Sequence, residues 1–123
     1  MGYRSDVVAL MYGKENTPEN TAIIKEFIRQ RVTPELMEHF DFDGWGVEFM
    51  AEQWKWYESD DVIKMLEKLF KEYQDTFCEG GYESQYAYEF IRVGESYDDI
   101  ETHEAGCGQG RLRVDRRIAV DDE

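Results

Sequence analysis

The amino-acid sequence predicts an α+β fold: a mostly antiparallel four-stranded sheet in the order β-α-β-α-β-β, with two helices on one face. Three observations predict it. Segments 82–93 and 112–120 alternate in side-chain character with a period of two, as half-buried strands do. Two other segments carry apolar residues at helical spacing, each behind a capping side chain. The helices fall between strands without the strict strand–helix repetition of a parallel sheet.

The first strand is expected over residues 3–12, where the chain is apolar on both faces from Val7 onward, so both sides should be covered. A polar turn then leads to Thr17-Pro18-Glu19, a cap, a first-turn proline and an acid at the positive end of the helix dipole. Ile23, Ile24, Phe27 and Ile28 mark the buried stripe of the helix that follows. Thr33-Pro34-Glu35 repeats the cap signal and begins a short segment through Met37, because Pro34 cannot continue the first helix. Residues 40–46 read as a turn. The second strand, 47–57, places Val47, Phe49 and Ala51 on one parity and Trp54 and Trp56 on the other, so it needs a bulge or a bend.

Ser59-Asp60-Asp61 caps the second helix, with Val62, Met65, Leu66, Leu69, Phe70 and Tyr73 at helical spacing and Glu67 placed to pair with Lys71. Gly80-Gly81 closes it. The third strand, 82–93, sets Tyr86, Tyr88 and Phe90 against Ala87, Glu89 and Ile91, and 112–120 forms the fourth, with Leu112, Val114, Ile118 and Val120 on one face.

With 123 residues the chain is one domain, 1–123. Its 41% apolar and 15% aromatic content is enough to bury a core, unlike a disordered chain. Against 28 Asp and Glu stand 14 Lys and Arg, a formal charge of -14 that repels nucleic-acid phosphates and anionic membranes. Direct nucleic-acid binding and membrane association are therefore not expected. No secretion signal is read at the start, which places the chain in a reducing cytoplasm with Cys78 and Cys107 as free thiols.

Segment 94–104 concentrates acids without any Lys or Arg. Asp98, Asp99, Glu101 and Glu104 offer hard oxygen ligands and His103 a nitrogen, so a divalent-cation site is one reading. The spacing fits no calcium loop, and Asp41-Phe42-Asp43-Gly44 starts like one without completing it. The simpler reading is a solvated hairpin arm whose acids face Arg111, Arg113, Arg116 and Arg117 across the sheet. The glycines of 106–110 lead into a strand rather than a helix, so they read as a turn needing positive φ and not as a phosphate loop. A structural zinc site needs four well-spaced ligands, a spacing the two Cys and two His of the chain do not have, and no cofactor or catalytic residue is assigned. Trp45, Trp54, Trp56 and Tyr57, interleaved with Glu48, Glu52, Lys55 and Glu58, are either core packing or an aromatic binding surface with an acidic rim.

Met1-Gly2-Tyr3-Arg4-Ser5-Asp6-Val7, Lys55-Trp56-Tyr57-Glu58, Phe90-Ile91-Arg92-Val93-Gly94-Glu95 and Asp98-Asp99-Ile100-Glu101 resemble small acidic proteins of tailed bacteriophages, an uncharacterised group with no assigned activity. The resemblance touches both ends and the middle of the chain. It implies a phage gene expressed in the cytoplasm of a bacterial host, and it transfers no catalytic residue.

Together these features point to an interaction protein that binds and modulates or inhibits a host macromolecule. A host protein that itself binds nucleic acid is one such partner, with carboxylates standing in for phosphates. The residues expected to meet it are Asp98, Asp99, Glu101, Glu104, Glu48, Glu52, Trp54 and Trp56. Two alternatives remain: a metal-assisted phosphoester or nucleotide enzyme built on 98–103, and a homo-oligomeric structural or assembly protein with Trp54 and Trp56 at the subunit contact.

Overall fold

In a computed structural model, which describes residues 4–44, 46–57, 60–96, 98–108, 110, 112–115 and 117–120 (backbone alone for 113–115 and 117–120), the apolar run Val7 to Tyr12 lies at the middle of a sheet. It belongs to β1 (Ser5–Gly13), and all six residues are buried, as a strand covered on both faces requires. The chain continues through α1 (Pro18–Arg29), α2 (Pro34–Met37), β2 (Phe40–Asp41), β3 (Val47–Trp54), α3 (Asp61–Phe77), a 3-10 turn (Gly81–Glu83), β4 (Tyr86–Gly94), β5 (Ile100–Gly106), β6 (Leu112–Asp115) and β7 (Arg117–Val120). The main sheet is antiparallel throughout, in the order β2-β3-β1-β4-β5, while β6 and β7 pair with each other.

The helix starts follow their caps. The Thr17 hydroxyl accepts from the Asn20 N–H and the Thr33 hydroxyl from the Leu36 N–H. At α3 the Asp60 carboxylate accepts from the Val62 and Ile63 N–H groups. Ser59 lies outside the described residues, as do Trp45, Glu58 and Tyr3, the first residue of the expected first strand.

All three helices cover one face of the sheet. Ile24, Phe27 and Ile28 of α1, Leu36 of α2, and Ile63, Leu66, Leu69, Phe70 and Tyr73 of α3 close on Val7, Ala9, Met11, Phe49, Tyr88 and Phe90. Each large apolar side chain buried here contributes about 1.5–3 kcal/mol relative to exposure. The Tyr73 hydroxyl, inside this core, donates to the Ala87 carbonyl at 3.0 Å, and burial raises its pKa so that it stays a donor. On the opposite face Leu10, Tyr12, Ala87 and Cys107 form a smaller cluster, and Leu112 at the start of the β6–β7 hairpin packs on it. That face is called outer below.

The α+β class and the placement of the helices agree with the sequence reading, but the counts do not. There are five strands in the main sheet, not four, and three helices, not two. Residues 100–106 form an edge strand where an acidic arm was expected. The expected turn at 40–46 holds the short strand β2, and the expected fourth strand, 112–120, is a hairpin of two. The third strand begins at Tyr86, after the 3-10 turn, rather than at 82. The expected bend in the second strand is present: β1 and β3 slip register between Ser5 and Val7, and Gln53 takes φ of 58°. The Asp6 carboxylate accepts from the Gln53 N–H at 2.8 Å, and Arg4 donates to the Gln53 carbonyl at 2.9 Å, so both backbone groups of the bulge are satisfied.

Candidate functional site

Register decides where the carboxylates lie. One row across the outer face runs Asp41, Glu48, Leu10, Glu89, Glu104, from β2 through β3, β1 and β4 to β5. Asp41 is directly opposite Glu48, and Glu89 directly opposite Glu104, an arrangement that costs stability when both members are ionised.

The two pairs are handled differently. Glu89 is buried, and the hairpin side of the molecule satisfies it: Tyr12 donates its hydroxyl to one carboxylate oxygen and the Leu112 N–H donates to the other at 2.9 Å. Glu48 is half-buried, and among the described residues no group donates to it. Burial raises its carboxyl pKa, and the charge of Asp41 raises it further. Glu52 follows four residues on along the same face of β3, with the 42% exposed Met50 between them. Beside this row a shallow trough of about 340 Å3 runs between β1 and β3, lined by Asp6, Val8, Met50, Glu52 and Gln53.

Two acids of 94–104, Asp99 and Glu101, meet a cation of the neighbouring strand. Arg92 of β4 donates to Asp99 through both terminal nitrogens, at 3.2 and 2.9 Å, to Glu101 through Nε at 3.0 Å, and to the Ser5 hydroxyl at 3.0 Å. Its guanidinium pKa is raised, chiefly by the Asp99 hydrogen bonds, so it stays charged. The second oxygen of Glu101 meets His103 Nε2 at 2.7 Å. Burial alone would raise the Glu101 carboxyl, but the hydrogen bonds from His103 and Arg92 outweigh it and hold the pKa below the ordinary value. The sheet neighbour of β5 is β4, which supplies Arg92, while the expected pairing with the C-terminal arginines falls outside the described side chains. Arg111 and Arg116, and the side chains of Arg113 and Arg117, lie outside the described residues.

The expected site residues therefore divide into three groups. Asp99 and Glu101 are engaged by Arg92, and their ion pairs tie the start of β5 to β4. Asp98, Glu104 and Glu52 are exposed and Glu48 half-exposed, and none of the four is among the described ion pairs. Trp54 and Trp56 are half-buried and share a face as expected, with ring centroids 6.5 Å apart; both pack on Phe49, and Trp56 also reaches Phe90. They close one end of the core. Among the described residues no group of three or more His, Cys, Asp or Glu side chains is disposed to hold a metal ion. No helix of the described residues is long and apolar enough to cross a membrane.

Lys71, expected to pair with Glu67, lies 3.4 Å from Asp75 instead. Of the glycine turn, Gly106 and Gly110 take the expected positive φ, at 72° and 65°. Cys107 and Cys78 are free and buried, and burial together with the nearby Cys107 pushes the Cys78 thiol up to about 12, which keeps it protonated and unreactive.

No protein-family model, no curated protein and no solved structure matches the chain.

Arg92, Glu89, Tyr12 and Asp41 were absent from the expected site. A lone arginine inside the run Phe90-Ile91-Arg92-Val93 was the available signal, because a cation within an apolar strand needs an anion close by. Asp41 carried no such signal, since its neighbour Glu48 is fixed only by the short β2–β3 pairing.

Proposed function

We propose that this chain is an acidic interaction protein that engages a basic surface of a host macromolecule through carboxylates of its outer sheet face and the β5 side. The phage resemblance of the sequence supports a bacterial cytoplasm as its setting, where it would modulate or inhibit its partner. The observation that carries the reading is Glu48: a half-buried carboxylate beside Asp41, with its pKa raised and no cation within ion-pair distance among the described residues. Such an arrangement costs folding stability and is relieved by an incoming cation. Glu52, Asp98 and Glu104 extend the same uncompensated charge across the molecule, and Met50 adds an apolar contact between Glu48 and Glu52.

A host protein that normally holds nucleic acid fits this chemistry, because its basic groove is arranged for a row of anions. The metal-assisted reading draws less support, since two of its ligands already hold Arg92. The homo-oligomer reading would leave the like charges of two copies facing each other unless Trp54 and Trp56 left the core. The test is retention of bacterial proteins on the immobilised chain, eluted by rising salt. The reading requires basic proteins that leave early with salt and are lost from a Glu48→Gln, Glu52→Gln, Asp98→Asn, Glu104→Gln variant. Retention of none, or identical retention by the variant, contradicts it.

A further inference from the structure

Strand β5 is the edge of the main sheet, seven residues in continuous register with β4; among the described residues no strand lies beyond it, and it has no Lys, no Pro and no bulge, its charged side chains being acids. The direction of its unused backbone groups follows from its hydrogen bonds. Cys107 N–H donates to the Tyr86 carbonyl and Gly94 N–H to the Asp99 carbonyl, and both pairs fall in the register that joins Phe90 to His103 and Arg92 to Glu101. In an antiparallel ladder the alternate residues turn their N–H and C=O groups the other way. Thr102 and Glu104 therefore present both groups to solvent, and their side chains are exposed as well.

Depressions flank this edge on both faces. On the helix side a cleft of about 140 Å3 lies between α3 and β5, walled by Glu67, Lys71, Gln74, Glu101 and His103 over a floor of Phe70, Tyr88 and Phe90. On the outer side a depression of about 150 Å3 is lined by Glu89, Ile91, Thr102, His103, Glu104 and Leu112. A strand added beside β5 would send its side chains alternately to these two faces, and each face presents a β5 carboxylate, Glu101 or Glu104.

We infer that β5 is the docking edge for an extended, basic segment of the partner, which adds as a sixth strand to the main sheet. The inference rests on the acidic-interaction reading above and specifies its mode: main-chain hydrogen bonds to Thr102 and Glu104 supply affinity, and the Glu104 carboxylate on the outer face selects arginine or lysine at alternate positions. Charge decides against a second copy as the occupant, since each copy brings a net -14 and acids at the same edge. Arg92 belongs to this function as a positioning residue. Its bonds to Asp99 and Glu101 fix the start of β5 against β4 and β1 and leave Glu104 free for the partner.

The test uses a peptide of alternating arginine and valine, as long as β5, titrated into the full chain by calorimetry. The expected result is saturable, salt-sensitive binding that weakens by about tenfold or more when every peptide amide is N-methylated, which keeps the charges and removes the donors. Thr102→Pro should weaken binding of the unmodified peptide to a similar degree, because it removes an outward N–H from an edge strand; its thermal melt checks that the fold survives. The N-methylated peptide leaves the protein untouched and keeps the test valid if Thr102→Pro unfolds. Salt-sensitive binding that ignores methylation overturns strand addition and leaves the acidic reading standing. Failure of the peptide to bind when a folded basic protein binds overturns it equally, and failure of both removes the acidic reading too. A dimer in sedimentation that Thr102→Pro dissolves would make a second copy the occupant and overturn the inference.

Discussion

Glu48→Gln should make the protein more stable at neutral pH while weakening its interaction. Glu48 faces Asp41 directly across the β2–β3 ladder, is half-buried, and its carboxyl pKa is raised, first by burial and then by the Asp41 charge. Directly opposed like charges in a sheet cost about 0.2–1 kcal/mol, and half-exposure screens the pair, so the expected gain is about 0.5 kcal/mol. For a chain of 123 residues that is a rise of roughly 2 °C in Tm. The sign of the pH dependence follows from the direction of the shift. A carboxyl whose folded pKa lies above its unfolded value destabilises the fold when ionised, so the gain is complete above the folded pKa. It disappears as pH falls through that value into the ordinary glutamate range. Thermal melts of wild type and Glu48→Gln at neutral and acid pH measure this, and Asp41→Asn completes a double-mutant cycle. A variant less stable than wild type at neutral pH, or a gain that persists unchanged in acid, refutes the reasoning.

Arg92→Met should cost about 2 kcal/mol by chemical denaturation, because it strips Asp99, Glu101 and Ser5 of one shared donor while the acids regain some hydration. Glu101, held below its ordinary pKa, adds stability that is present above the unfolded value and lost as pH falls through the folded one; Arg92→Met should flatten that acid limb, and an unchanged limb would contradict the assignment. Gly106→Ala should destabilise by about 3 kcal/mol or prevent folding, since φ is 72° there and a Cβ would stand 2.1 Å from the Tyr86 carbonyl oxygen; a neutral result in a thermal melt would refute it. Gln53→Gly should stabilise by about 0.5 kcal/mol, because relief of the left-handed backbone exceeds the loss of the long 3.3 Å bond from its side chain to Asp6; a melt showing a loss above about 1 kcal/mol would contradict this.

What the sequence disclosed follows the strength of its local signals. The three caps, the helical stripes of α1 and α3 and the apolar run of β1 are local patterns with burial behind them, and each was legible. Strand β5 was not, because both faces of an edge strand are wet and Ile100, Thr102, His103 and Glu104 show no apolar period. The β6–β7 hairpin escaped for a geometric reason. Leu112 lies opposite Val120 and Val114 opposite Ile118, so even-numbered residues share a face whether the segment runs straight or folds back. Acidity near 48–52 and 98–104 was visible in sequence. Which acids are internally matched was not, because that depends on Arg92 and on the Asp41–Glu48 register, both of which are tertiary.

The measurement that bears most directly on the central claim compares two variants of equal net charge in their affinity for the arginine–valine peptide at low and high salt. One carries Glu48→Gln, Glu52→Gln, Asp98→Asn and Glu104→Gln; the other carries Glu15→Gln, Glu19→Gln, Glu35→Gln and Glu79→Gln, exposed acids of the loops and helix ends. If placed carboxylates form the interaction surface, the first variant loses most of the binding and its salt dependence while the second stays close to wild type. Equal losses in the two would mean that the peptide responds to net charge alone, and the proposed surface would not exist.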